Sequence, residues 1–248
     1  MQRLWAFFIK GEEIVMIKLD HVVYFTDKKP AEVVKEQVSL DWHTVVGGSH
    51  EKWGTHNALM HVKNGYIEWL SVEHPGIAET ANHQLVDLLQ RDISEGEAWG
   101  TICFSVEGLD AFNERLKSLG YKTSGVLQSE RKTTDGNIRR WKMLFVNQEL
   151  SSKLPLPFFI EWEEQEEERF IGLRKNGTIT PDNERLAITE CHFSVSFPEE
   201  EVANWAKLLS VEVSDENKIL LPNIMLKFMG KGFSNGNERL TDVVIEHV

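Results

Sequence analysis

Glutamate recurs in this chain where glutamate is costly. Ile67-Glu68-Trp69 and Ile160-Glu161-Trp162 repeat one triplet inside apolar runs, and Ile245-Glu246-His247 nearly copies it at the far end. An ionised carboxylate in an apolar setting is unfavourable unless something pairs with it, and strands are depleted of glutamate. The ordinary reading, an outward-facing residue of an alternating strand, suffices for Glu246. It is weaker for Glu68, which shares its face with Tyr66, Leu70 and Val72. Histidines fall close by in the same pattern. With Asn64-Gly65 as a two-residue hairpin loop, Lys63 faces Tyr66, His61 lies opposite Glu68 and His56 opposite Glu73. Imidazole and carboxylate together are the usual ligands of Zn, Ni, Mn or Fe, and each also serves as a proton-transfer group.

Three similar strands must position these residues. "LDHVVYFT" places Leu19, His21, Val23 and Phe25 on one face and Asp20, Val22 and Tyr24 on the other, and "GTICFSVE" and "ECHFSVSF" resemble it. A helical pattern follows each: one opened by Pro30, one with Leu109, Phe112, Leu116 and Leu119 stopped by Gly120, one opened by Pro198 with Val202, Trp205, Ala206 and Leu209. Further strands close each unit, the last carrying the glutamate. The repeat is therefore β-α-β-β-β, with His21 and Glu68 in the first unit, Thr101 and Glu161 in the second, and His192 and Glu246 in the third. The expected organisation is an N-terminal extension over 1–16, paired units over 17–75 and 98–163, a charged solvated linker over 164–186, and a third unit over 187–248.

The chain has 248 residues, 41% of them apolar, with eight Trp and a net charge of −12. That balance disfavours nucleic acid and anionic membranes as partners, since both need clustered Lys and Arg. Two cysteines make no disulfide framework, and the opening "MQRLWAFFIKGEEIVM" has too short an apolar run for a signal peptide or a span, so a cytoplasmic protein is expected. Gly47-Gly48-Ser49-His50 lacks the Lys of a phosphate loop and reads as a loop. Arg131, Arg139 and Arg140 flank a turn at Asp135-Gly136, where they are solvated hairpin ends or hold a substrate carboxylate or phosphate. Cys103 shares the Thr101 face and reads as a small buried hydrophobe.

The repeat with its His and Glu strands resembles the vicinal oxygen chelate superfamily, which includes glyoxalase I, extradiol dioxygenases and bleomycin-binding proteins. "LDHVVYF", "GGSHEKWGTHNALMHVKNGYIEWLSV", "SERKTTDGNIRRWK" and "LPFFIEWEE" are similar to its glyoxalase-like domain proteins, over about residues 17–163. The resemblance implies an α+β fold in which two βαβββ units curve mixed sheets around a cavity, with metal ligands from the first and last strands of each. Carried over, it implies a divalent metal held by His21, Glu68 and Glu161, with Thr101 in a fourth place where Thr is a poor ligand. Such a metal would bind a small oxygenated substrate, and Glu161 or Glu68 would act as catalytic base in a lyase or isomerase. His50, Trp53, His56, His61 and Arg140 are the expected ligand-binding residues. A metal-free binding module walled by Trp53, Trp69, Trp141 and Trp162 is the alternative, and an Fe(II) dioxygenase using His21, His61 and Glu68 a third. The unpaired third unit covers one side of the first two or pairs with its counterpart in a homodimer.

Overall fold

The computed structural model describes residues 16–40, 42–132, 138–214, 216–231 and 236–248, without the side chains of Arg131 and Lys132. Residues 1–15 and the expected Asp135-Gly136 turn lie outside them. The first unit comprises β1 (Ile17–Phe25), α1 (Pro30–Val38), β2 (Val45–His50), β3 (Thr55–Val62) and β4 (Gly65–Val72). Two helices follow, α2 (Pro75–Ala78) and α3 (Gln84–Asp92), before the second unit of β5 (Ala98–Val106), α4 (Leu109–Ser118), β6 (Leu127–Lys132), β7 (Ile138–Phe145) and β8 (Phe158–Trp162). The eight strands form one mixed sheet in the order β2-β3-β4-β1-β5-β8-β7-β6. Within each unit the first and last strands run parallel, and β1 meets β5 antiparallel at the junction.

Alternation decides which face of this sheet does what. Val22, Met60, Ile67, Ile102, Phe104 and Phe159 point outward into one buried core, covered by α4 through Phe112 and Leu116. Val23, Phe25, Leu70, Met143, Phe158 and Ile160 point inward. Local signals work as expected: Pro30 opens α1, and Gly120, at φ 91°, follows the end of α4, where a Cβ would be strained.

After β8 the expected linker is instead folded. It holds α5 (Glu166–Lys175), with Arg169 and Leu173 buried one turn apart. Three glutamates at its start and Arg174 and Lys175 at its end suit the helix dipole. Its nearly uniform polarity hid the helix, because only those two residues face inward.

The third unit comprises β9 (Leu186–Val195), α6 (Pro198–Leu209), β10 (Lys218–Leu221), β11 (Ile224–Gly230) and β12 (Arg239–His247), in sheet order β10-β11-β9-β12. It joins the outer core, with Trp205 of α6 edge-on to Phe104 of β5. It therefore covers one side of the first two units. Here β11 is the strand parallel to β9, whereas β12 is antiparallel to it, as β5 is to β1. Glu246 on β12 is thus not the counterpart of Glu68 and stands exposed. No helix among the described residues is long and apolar enough to cross a membrane.

Helix α3 ties these parts together. At its last residue Asp92 accepts two bonds from Arg239 of β12, at 2.6 and 2.9 Å, with both side chains buried. At its first boundary His83 is buried between the rings of Trp53 and Phe145. Burial, with a smaller contribution from His50, pushes the His83 imidazole down to about 4. Two outcomes are expected. Asp92→Ala leaves a buried guanidinium unpaired and should lower unfolding free energy in urea by about 3–5 kcal/mol. The unfolded state protonates His83 near pH 6.5 and the folded state only near 4, so stability should fall between those values by up to about 3 kcal/mol from this residue. His83→Phe should remove that part of the acid sensitivity in the same urea titrations.

Candidate functional site

A cavity of about 370 Å³ lies on the inner face of the eight-stranded sheet, walled by both units and lined further by residues of α3 and α5. Its polar centre starts from an irregularity in β1. The register against β5 slips between Leu19 and His21, so the residue between them is extra. This bulge turns Asp20 to the same side as His21, while Leu19 joins Val22 in the outer core. Strict alternation had put Asp20 on the opposite face. Gly65 of β4 packs here, where a Cβ would lie 2.7 Å from the Asp20 carbonyl oxygen.

Asp20 and His21 are both nearly inaccessible, with His21 Nδ1 2.7 Å from Asp20 Oδ1. Trp162 Nε1 donates to Asp20 Oδ2 at 2.8 Å, and the Arg169 guanidinium stands 3.8 Å from the same oxygen. Burial alone would raise the Asp20 carboxyl. The His21 hydrogen bond and the Arg169 charge overcome it and hold the group below the usual carboxylate range. With Nδ1 so engaged, His21 Nε2 turns toward the cavity wall, 3.5 Å from Glu68 Oε2. The other Glu68 oxygen accepts from Asn57 Nδ2 at 2.5 Å. Tyr66 stacks on His21 at 4.4 Å, its phenol pushed well above the ordinary value by burial and then by the Asp20 and Glu68 charges.

The β3–β4 hairpin differs from the count by two residues of register. Val62 faces Gly65, so Lys63 and Asn64 make the turn and neither has a positive φ. Asn64 is held there by the third unit, donating to the carbonyls of Ile188 and Asn223 and accepting from Ile188 N. His61 therefore lies opposite Tyr66 and Leu59 opposite Glu68. His61 still lines the cavity, because the slip moves it along its face and not across the sheet.

His50 and Trp53 also line the cavity. His56 does not: on β3 it alternates away from Thr55 and Asn57 and stands 3.8 Å from Glu73. Its imidazole is lowered by burial, partly offset by that carboxylate. Thr101 faces Val23 and is buried outside the cavity. Helix α3 fills that end of the sheet, with Leu85, Leu88 and Leu89 packed in the inner cluster with Val23 and Phe25. Trp141 and Trp162 line the cavity, whereas Trp69 belongs to the outer core. Arg140 is exposed, paired with Glu130 at 3.1 Å. Its neighbour Arg139 is the one that lines the cavity, 3.0 Å from Glu164.

Glu161 is the largest departure. It lines a separate cleft, accepts from Gly108 N at 2.7 Å and lies 3.1 Å from Lys142 Nζ. Register explains this: Val23 pairs with Glu68, and Cys103, the matching residue of β5, pairs with Phe158. Phe158 thus holds the structural place of Glu68, and the repeated triplet sits three residues further along β8. Its neighbours Ile160 and Trp162 face the cavity, and Glu161 between them cannot.

The expected His-Glu-Glu set therefore does not assemble. His21 and Glu68 stand together without the third donor. Asp20, His21 and Cys103 bring an oxygen, a nitrogen and a sulfur within 4.8 Å of one another. Both Asp20 oxygens are already engaged, by His21 and by Trp162. Burial, with the Asp20 and Glu68 charges, raises the Cys103 thiol well above its ordinary value, the reverse of what a thiolate ligand needs. These residues do not fit a resident divalent metal.

A family model described as a glyoxalase-like domain matches residues 19–209. No curated protein matches the chain. Among solved structures, a hypothetical protein from Staphylococcus aureus is 23% identical with TM-score 0.77, covering 94% of this chain and 92% of its own. Methylmalonyl-CoA epimerase from Streptomyces coelicolor, in complex with 2-nitronate-propionyl-CoA, is 14% identical with TM-score 0.40, over 59% of this chain and 98% of its own. A hypothetical protein from Bacillus halodurans is 16% identical with TM-score 0.40, over 60% and 96%. With paired βαβββ units around one cavity and the family match over most of its length, the chain belongs to the glyoxalase-like domain family of the vicinal oxygen chelate superfamily.

Proposed function

We propose that this protein binds a small oxygenated molecule in the cavity and acts on it by proton transfer through His21 and Glu68, as an isomerase or lyase. The observation that carries this reading is the buried chain from Asp20 to His21 to Glu68 at the cavity wall. Asp20 fixes one imidazole nitrogen and leaves the other for substrate, the arrangement that orients a general base. Glu68, anchored by Asn57, is the partner that takes or returns the proton. Glu161 has no part in this chemistry.

A second reading, sequestration without turnover, is favoured by the composition of the far wall. There Trp141, Met143, Phe158, Ile160 and Trp162 offer aromatic and apolar surface. Turnover separates the two readings. Wild-type protein should catalyse solvent deuterium exchange at the carbon next to the carbonyl of hydroxyacetone or phenylacetone, followed by proton NMR. His21→Ala and Glu68→Gln should each slow it by about 10²- to 10⁴-fold, and Glu161→Gln should leave it unchanged. Binding of these compounds without exchange would favour sequestration. Elemental analysis after titration with Zn, Ni, Mn or Fe(II) gives a further check. We expect no tightly held metal; one equivalent lost in both His21→Ala and Glu161→Ala would return the three-ligand mechanism.

A further inference from the structure

The cavity wall at the start of α3 carries a polar side chain that nothing in the protein satisfies. His83 is 5% exposed, lines the cavity, and neither ring nitrogen has a hydrogen-bond partner. Its ring is held by Trp53, at 4.4 Å and 35°, and by Phe145, at 4.9 Å and 76°. Asn57, 3% exposed on the same cavity, has an equally unpartnered Oδ1, while its Nδ2 serves Glu68. Buried polar atoms are almost always paired, so each exception needs a reason. Packing supplies none, because a phenyl ring fills the same space without the desolvation cost.

The charges around the cavity say what kind of group fits there. Arg139 already faces Glu164 and Arg169 already faces Asp20. Glu68 adds a further carboxylate to the wall. An anionic group would meet carboxylates and guanidiniums that are already opposed. A neutral imidazole, by contrast, presents one donor and one acceptor, and Asn57 Oδ1 adds a second acceptor. We propose that the cavity selects an uncharged planar molecule carrying a hydroxyl, carbonyl or carboxamide group, and that His83 is the residue that recognises that group. This rests on the cavity being a small-molecule site. A space of about 370 Å³ suits a molecule of one or two rings.

Benzamide and benzoate share one shape and differ in charge, and Trp53, Trp141 and Trp162 in the wall report binding by fluorescence. The full chain should bind benzamide at least tenfold more tightly than benzoate. His83→Phe should weaken benzamide by about tenfold, a loss of one hydrogen-bonded group, without lowering the melting temperature. His83→Asn, which restores a donor and an acceptor, should recover part of the affinity. Benzoate binding as tightly as benzamide, benzamide binding equally to wild type and His83→Phe, or no quenching by either probe would overturn the proposal. Any of these beside intact exchange dependent on His21 and Glu68 removes only the ligand class and leaves the reading of the site in place.

Discussion

One buried carboxylate organises the centre of this molecule. Asp20 is 4% exposed, and an ion so placed is tolerated only when its partners replace the lost water. Three partners come from three parts of the chain: His21 beside it on β1, Trp162 at the end of β8, and Arg169 on α5. The last two fix features that the backbone alone leaves open. Trp162 is drawn across from the second unit to the first, and the guanidinium of Arg169 lies 4.4 Å over its ring, so the helix after β8 docks where its buried arginine finds both a carboxylate and an aromatic face. The bulge that turns Asp20 inward is thus coupled to the placement of α5, and through it to the α5 residues that line the cavity.

The two units share a topology and divide the work unequally. Unit one brings His21, Asn57, His61 and Glu68 to the cavity, and the β8 positions of unit two bring Phe158, Ile160 and Trp162. The register of β8 is responsible. A carboxylate at position 158 would face Glu68 across the junction and raise the cost of both; a phenyl ring there instead meets His21 edge-on at 5.4 Å and stacks on Phe145. Glu161, displaced to the other face, works structurally, tying β8 to the first turn of α4 through Gly108 and to β7 through Lys142.

Much of this was legible in the sequence, and the failures have physical causes. Period-2 alternation and helix stripes located the paired units and the inward faces of β1 and β4, so His21 and Glu68 were identified with the right orientation. Asp20 was missed because a bulge breaks the alternation on which the face assignment rested. His61 was misplaced by two residues of register because a long-range anchor, Asn64 to the third unit, decides the turn. Arg139 and Arg140 differ only by strand parity, and either choice fitted the pattern. Glu161 misled because an identical triplet suggested an identical place, although equivalence between units is set by register. His83 and Arg169 lie in segments outside the repeat, where periodicity offered no guide.

That last group lies where the two units leave the cavity's ends to other segments. The repeated units supply a curved sheet and one polar wall, features that any paired βαβββ protein can share and that do not name a substrate. Two of the polar groups that line the cavity, His83 and Arg169, come from the segments between and after the units. Helix α3 is pinned at one end by Asp92 and Arg239, which fixes His83 at the other end, and α5 is pinned by Arg169 at the cavity itself. Neither helix contributes a strand, so either can change without disturbing a ladder hydrogen bond. On the proposed reading, the arrangement separates the groups that handle protons, set by β1 and β4, from His83, whose place is set by a helix that depends on a buried ion pair.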